Sequence, residues 1–143
     1  MEPSSNAYTR VLTRWQQLYS EYARRCSLNY ISLHVLHEIS QNGPLAQKNL
    51  AAACGLSKQN LHQILLDFEK RGWIAFQKNT TDRRIREVLL SEQGEIQARP
   101  LVQPIAECET RAFEQFSEQE QQLLQQLSSR YVDICEQILK SAD

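Results

Sequence analysis

Five side chains able to hydrogen bond with base edges are grouped near the start of one stretch, residues 57–72. They are Lys58, Gln59, Asn60, His62 and Gln63. Asn and Gln can pair with adenine through two hydrogen bonds, and Lys can donate to guanine, when a helix lies in the major groove of DNA. A polar outer face is also the rule for solvated surface helices. The residue types therefore permit base recognition, and the surrounding sequence has to decide between the two interpretations.

The stretch itself has the features of an amphipathic helix. Ser57 can cap the first free N–H groups, and Gly72 suits a left-handed stop. Apolar residues recur at helical spacing and predict a buried face: Leu61, Ile64, Leu65 and Phe68. The polar group at the start is left facing outward. The pattern predicts a DNA recognition helix in which Ser57 also belongs to the DNA-binding set.

The residues before this helix favour that prediction. Leu50, Ala51, Gly55 and Leu56 have the spacing that two crossing helices joined by a tight turn require. Ala51 is small enough for a close approach of the helices, and Gly55 can adopt positive φ in the turn. Helix pairs in unrelated domains place Ala and Gly in the same way, so the pattern is moderately specific. It predicts a helix-turn-helix.

Beyond Gly72 the apolar pattern alternates. Residues 73–76 and 85–90 predict two strands of a hairpin, joined by a polar loop at 77–84. Four polar residues of this loop join the DNA-binding set: Lys78, Asp82, Arg83 and Arg84. An arginine at the tip can enter the minor groove while Asp82 holds its guanidinium in a bidentate pair. The alternative is a solvated hairpin tip with an exposed ion pair of little energetic value. The position directly after the helix favours a wing.

Basic charge is local in this chain. The formal net charge of the 143 residues is only −1, which excludes a general polycation. Residues 57–86 hold seven Lys and Arg against three Asp and Glu, a net charge of +4 that is balanced by −5 elsewhere. The distribution therefore matches a nucleic-acid-binding surface confined to the helix and the wing.

GLSKQNLHQILLDFEKRGWI followed by DRRIREVLLSEQG resembles the core signature of the MarR family of bacterial transcription regulators, over residues 28–94. The resemblance implies a homodimer of winged helix-turn-helix lobes joined by N- and C-terminal helices, with the helix that begins at Ser57 in the major groove. Asp82 and Arg84 match the family's D-x-R wing pattern. We expect a mainly α fold with a small β-hairpin wing, organised as an N-terminal dimerisation helix (1–27), a DNA-binding lobe (28–90) and C-terminal dimerisation helices (91–143).

The flanking sequence is helical. An apolar, aromatic stripe predicts a first helix from near Ser5 to before Leu28, and a second helix covers residues 30–41. Ser91 can cap a helix that contains Pro100 and Pro104, so we expect a kink or break near Pro100, where the family usually has a continuous helix. Residues 117–120 form a capping box that opens a last amphipathic helix. Its apolar face, like that of the first helix, can pack in a dimer or on its own chain.

The sequence offers partial features for three kinds of effector. A small aromatic ligand would contact a pocket formed by Trp15, Tyr19, Tyr30 and His34, although such aromatic residues more often belong to a core. Oxidation would act at Cys26, which follows two arginines. For zinc, Cys26, His37, Glu38 and Cys108 are the only candidates, and a structural role for His34 and His37 is favoured over metal ligation. The effector is not identified by the sequence.

Other function classes are disfavoured. The chain has no phosphate-binding glycine loop, no nucleophile elbow and no zinc-protease motif, so we expect no enzymatic activity, cofactor or metal. We expect a cytoplasmic protein with free thiols and no membrane segment.

The favoured function is a dimeric repressor that binds a palindromic operator in double-stranded DNA and is released by a small ligand. The alternative is a winged-helix protein-interaction module, against which Lys58, Arg83 and Arg84 argue.

Overall fold

The computed structural model describes residues 4–142, which form seven helices and a small three-stranded antiparallel sheet. The elements in chain order are α1 (Ser4–Arg25), α2 (Tyr30–Asn42), β1 (Leu45–Ala46), α3 (Gln47–Cys54), α4 (Lys58–Lys70), β2 (Ile74–Lys78), β3 (Arg86–Leu90), α5 (Glu92–Gln97), α6 (Arg99–Glu114) and α7 (Glu118–Lys140). The chain divides into two compact units, one up to Pro104 and one from Ile105 onward. The predicted fold class, mainly α with a small β wing, is confirmed.

The core of the first unit is formed by apolar side chains that recur at helical spacing in α2, α3 and α4, together with one residue of β3 and one of α6. The most completely buried are Phe68, Leu33, Leu36, Ile39, Leu50, Leu61, Val35, Val88 and Val102. Burial of each such side chain contributes about 1.5–3 kcal/mol relative to exposure. The helix-turn-helix pair α3–α4 is therefore fixed on α2 and the sheet.

Local signals set the ends of α4. The Ser57 hydroxyl accepts a hydrogen bond from the Asn60 backbone N–H at 3.1 Å, which satisfies one of the free donors at the helix start. Gly55 has φ +63° in the turn before the helix, and Gly72 has φ +77° just after it. Both left-handed positions carry the residue that adopts them without a Cβ clash. The predicted cap, turn and stop are confirmed.

The first strand of the hairpin extends further along the chain than predicted, and the sheet contains a third strand. The sheet order is β1-β3-β2, and β2 pairs with β3 from Ile74↔Leu90 to Lys78↔Arg86. Lys78 thus lies at the end of β2, and the prediction that it lay in the loop was wrong. The backbone hydrogen bonds between β2 and β3 continue beyond the residues that show alternating apolar character. The connecting loop is 79–85. Strand β1 was not predicted, since two residues are too few to show a period of two.

The helix predicted after Ser91 is broken, as expected. Helix α5 ends at Gln97 and α6 begins at Arg99, just before Pro100. A proline in the first turn of a helix removes an N–H group that has no intrahelical partner, which is why Pro100 is accommodated there. Pro104 lies inside α6.

The second unit contains α7, which begins with the predicted capping box. The Ser117 hydroxyl accepts from the Glu120 N–H at 3.1 Å, and the Glu120 carboxylate accepts from the Ser117 N–H at 2.8 Å. Its large apolar side chains are exposed: Leu123, Leu124, Leu127, Tyr131, Val132, Ile134, Ile138 and Leu139. Within the first unit, α1 also exposes apolar residues, namely Val11, Leu12, Trp15 and Leu18.

Among residues 4–142, no helix combines the length and the apolar character that a membrane span requires.

Candidate nucleic-acid interface

Helix α4 presents a continuous polar surface at its N-terminal half. The side chains of this surface are exposed: Lys58, Gln59, Asn60, His62 and Gln63. Leu61, Leu65 and Phe68 on the opposite side are at most 3% exposed. Because the apolar side anchors the helix, the polar side chains cannot rotate into the core. The structure therefore brings the five predicted residues together on one surface, with Ser57 engaged as the cap.

The tip of the hairpin presents an oriented cation. Asp82 Oδ1 accepts from Arg84 Nε at 3.0 Å, and Asp82 Oδ2 accepts from Arg84 Nη2 at 3.1 Å. The Arg84 side chain is nevertheless 91% exposed. The hydrogen bonds from Arg84 hold the pKa of the Asp82 carboxyl below its usual range. Arg83 beside it is also exposed.

A further cation lies on the stem of the hairpin and was not included in the sequence prediction. Arg86 is exposed and pairs in register with Lys78. Its guanidinium carbon lies 4.3 Å from the centre of the Phe76 ring, a cation–π arrangement that restricts the side chain. The pairing register of β2 and β3 could have identified Arg86, because it places Arg86 opposite Lys78. That register can be derived only when the ends of both strands are known. Lys78 and Arg86 together make the stem basic.

The end of α4 is fastened to the start of α5. The Ser91 hydroxyl donates to the Gly72 carbonyl at 2.6 Å and accepts from the Gly94 N–H at 2.9 Å. Gly94 lies so close to the preceding chain that a Cβ there would be 1.9 Å from the Trp73 carbonyl oxygen. This junction therefore ties the C-terminal end of α4 to α5.

The four residues of the predicted effector site form a row of rings on α1 and α2. The ring centres of Trp15 and Tyr19 are 4.3 Å apart, those of Trp15 and Tyr30 6.3 Å, and those of Tyr30 and His34 6.5 Å. Tyr19 is buried, whereas Trp15 is 47% exposed. An adjacent open cleft of about 660 Å³ is lined mostly by polar side chains of α1, and Tyr30 is the member of the row that lines it. The effector site stays a prediction.

The four cysteines are free. Burial, with a smaller effect of the Glu38 charge, raises the pKa of the Cys54 thiol to about 11, so this thiol stays protonated and unreactive at neutral pH. Cys26 Sγ lies 4.0 Å from the Leu101 carbonyl, which also accepts the Tyr22 hydroxyl at 2.7 Å. Within residues 4–142, no three His, Cys, Asp or Glu side chains are grouped as a metal site requires. The zinc hypothesis therefore has no geometric support.

Comparison with known sequences agrees with this geometry. A model described as the MarR family matches residues 27–85, which contain α2, the helix-turn-helix and the wing loop. The transcriptional repressor MprA of Escherichia coli (strain K12) is 28% identical over 101 residues, which cover 71% of this chain and 57% of MprA. The match thus spans little more than half of that relative's length.

Solved structures share the fold. A MarR family regulator from Neisseria meningitidis has a TM-score of 0.79 at 22% identity and covers 100% of both chains. The Staphylococcus aureus MepR–DNA complex has a TM-score of 0.67 at 16% identity, over 93% of this chain and 98% of MepR. NadR in complex with 4-hydroxyphenylacetate has a TM-score of 0.70 at 17% identity, over 92% and 93%. The sequence signature, the family model over residues 27–85 and the fold thus agree in their similarity to the MarR family of winged-helix transcription regulators.

Proposed function

We propose that this chain is a cytoplasmic, homodimeric, sequence-specific DNA-binding regulator without enzymatic activity, which represses nearby genes until a small ligand releases it. The observation that carries the proposal is the polar surface of α4 beside a wing whose tip arginine is oriented and 91% exposed. The MepR–DNA complex, which shares the fold, supports DNA as the partner. The similarity to MprA, a transcriptional repressor, supports repression.

In this proposal α4 and the wing make different kinds of contact with DNA. Helix α4 lies in the major groove, where Lys58, Gln59 and Asn60 contact base edges with His62 and Gln63 beside them. Arg84 enters the flanking minor groove, where the negative potential is strongest when the groove is narrow. Lys78, Arg83 and Arg86 neutralise phosphates and supply the salt-sensitive part of the affinity. Sequence preference then comes from α4, and most of the affinity comes from the cations.

The exposed apolar surfaces support dimerisation. In each unit a long helix exposes large apolar side chains that water solvates poorly, on α1 and on α7. A symmetric dimer places two recognition helices on half-sites about 34 Å apart, which a palindromic operator supplies. Because DNA affinity depends on this spacing, a change in the separation of the helices is sufficient to release the operator.

We propose the aromatic row as the place where a ligand acts. Trp15, Tyr19, Tyr30 and His34 join α1 to α2, the helix on which the helix-turn-helix is packed. An aromatic ligand stacked on the exposed Trp15 ring would favour one arrangement of these helices over another, and a ligand shifts the equilibrium only through such a difference in affinity. The complex of NadR with 4-hydroxyphenylacetate supports this ligand class.

Replacement of Gln59 with Ala is expected to relax the preference at one base position of each half-site, at a cost of about 1–3 kcal/mol for the preferred base. The side chain is exposed in the first turn of α4, so its loss should leave stability unchanged. The measurement is selection from random duplexes with mutant and parent side by side. Gln122→Ala, an equally exposed change on α7, is the matched control. Identical selected motifs for Q59A and parent would remove Gln59 from the base-contacting set.

Replacement of Leu127 with Asp is expected to convert the dimer to monomer, because it places a charge on the exposed apolar surface of α7. Leu127 is 50% exposed in the single chain and lies between Leu124 and Tyr131 on that surface. The matched control is Ser129→Asp, the same charge on the polar side of the helix. Light scattering measures the mass of each variant at equal concentration. A dimeric L127D protein would place the dimer surface elsewhere.

The decisive experiment is a salt titration of the purified protein on duplexes selected from random sequence, with its mass measured in the same buffer. A dimer that binds an inverted repeat with steep salt dependence supports the proposal. A protein that enriches no sequence at any salt concentration would instead favour the protein-interaction module, and its protein partner would then be sought.

A further inference from the structure

Asn79 occupies the first position after β2 and organises the loop that follows. Its backbone N–H donates to the Ile85 carbonyl at 2.9 Å, which closes the loop. Its side-chain oxygen Oδ1 accepts from the Thr81 N–H at 2.9 Å and from the Asp82 N–H at 2.8 Å. Its Nδ2 donates to Glu87 Oε2 at 3.0 Å. One half-buried amide thus makes three side-chain hydrogen bonds.

These bonds continue to the wing tip. Glu87 lies on β3. The Asn79 side chain connects the Glu87 carboxylate to the backbone N–H of Asp82. The Asp82 carboxylate in turn accepts two hydrogen bonds from the Arg84 guanidinium and one from the Arg84 N–H, the last at 3.1 Å. Because Arg84 is almost fully exposed, its orientation depends on Asp82 rather than on packing. The connected residues are, in order, Glu87, Asn79, Asp82 and Arg84.

We propose that Asn79 is the positioning residue of the wing: it fixes the Asp82 backbone so that the Asp82 carboxylate presents Arg84 to DNA in one orientation. This inference rests on the proposed function of the wing as a DNA contact. Preorganisation raises affinity because the side chain does not have to be ordered during binding. An amide suits the position, since it accepts from two backbone N–H groups and donates to a carboxylate at once. Asp would lose the donor and repel Glu87, and Ala would leave the loop amides to water.

The test compares Asn79→Ala with Gln77→Ala and combines each with Arg84→Ala. Gln77 is the matched control because it donates to the same Glu87 carboxylate, at 3.3 Å, from the strand side. N79A is expected to weaken DNA binding about tenfold, because two or three hydrogen bonds of the loop are lost. Its effect on affinity should not exceed that of R84A. Q77A should stay within about twofold of the parent. In the R84A background, N79A should have little further effect, because the side chain that it positions is gone.

A second measurement follows the free protein. Hydrogen exchange at the Thr81 and Asp82 amides should be faster in N79A than in the parent and unchanged in Q77A, at equal thermal stability of the lobe. Two outcomes would show that this inference is wrong while the proposed function stands. In the first, R84A weakens DNA binding but N79A lowers affinity by its full factor in the R84A background as well. In the second, hydrogen exchange at the Thr81 and Asp82 amides is the same in N79A and the parent. If R84A itself causes no loss of affinity, the proposed wing contact fails, and this inference fails with it.

Discussion

Arg84→Ala is expected to weaken binding to nearly all DNA sequences and to lower the slope of log affinity against log salt by about one for each phosphate that the protein no longer neutralises. The Arg84 side chain is 91% exposed and, among residues 4–142, its guanidinium is held only by Asp82, so its removal should not affect the fold. The reduction in affinity should be similar for selected and random duplexes of equal minor-groove width, because an arginine in the minor groove responds to groove width and charge rather than to individual bases. This distinguishes it from Q59A, whose effect is confined to one base position.

The measurement is a salt titration of R84A and parent on the same duplexes. Arg130→Ala is the control, since it removes the same charge from the exposed surface of α7. Asp82→Ala is informative as well: it leaves the charge of Arg84 intact but releases its side chain, so it should weaken binding less than R84A and should not lower the salt slope. Equal affinity of R84A and parent at all salt concentrations would exclude the wing from DNA binding.

Gly94→Ala is expected to have the largest effect on the stability of the DNA-binding lobe. A Cβ at this position would lie 1.9 Å from the Trp73 carbonyl oxygen, which accepts from the Ser91 N–H at 2.9 Å. Backbone atoms cannot rotate away, so the junction of α4 and α5 has to move. Overpacking of this kind costs about 1–3 kcal/mol and occasionally more. DNA affinity should fall as well, because the displaced segment sets the end of the recognition helix.

The matched control is Gly55→Ala. Gly55 has φ +63° but no atom within 4 Å of the position of a Cβ, so its replacement costs about 1–2 kcal/mol of left-handed strain and no steric clash. Urea unfolding gives both free energies of unfolding, and both variants are measured at equal protein concentration because the stability of the proposed dimer would depend on concentration. A G94A protein as stable as G55A would show that the contact with Trp73 relaxes easily.

Helix α4 could be predicted because the determinants of its ends and of its buried side are contiguous in the sequence. A cap at Ser57, glycines at positions 55 and 72, and an apolar side at helical spacing are all encoded within one short stretch. The structure reproduces each of them. The Ser117 capping box and the break before Pro100 were predicted for the same reason. Each depends on hydrogen bonds between residues at most four apart, which sequence spacing reports directly.

Other features depend on residues that are distant in the chain. Strand β1 exists because Leu45 pairs with Val88, and the basic stem exists because Lys78 lies opposite Arg86. The requirement for glycine at position 94 comes from Trp73, and the role of Asn79 comes from Glu87. The sequence alone determined where the helices and the hairpin form, and it predicted α4 as the helix that contacts DNA, because local hydrogen bonding and side-chain periodicity are properties of neighbouring residues. Only the tertiary structure decided how the Asp82–Arg84 pair is connected through Asn79 to Glu87 and how the end of α4 is joined to α5, because those contacts form between segments that the fold brings together.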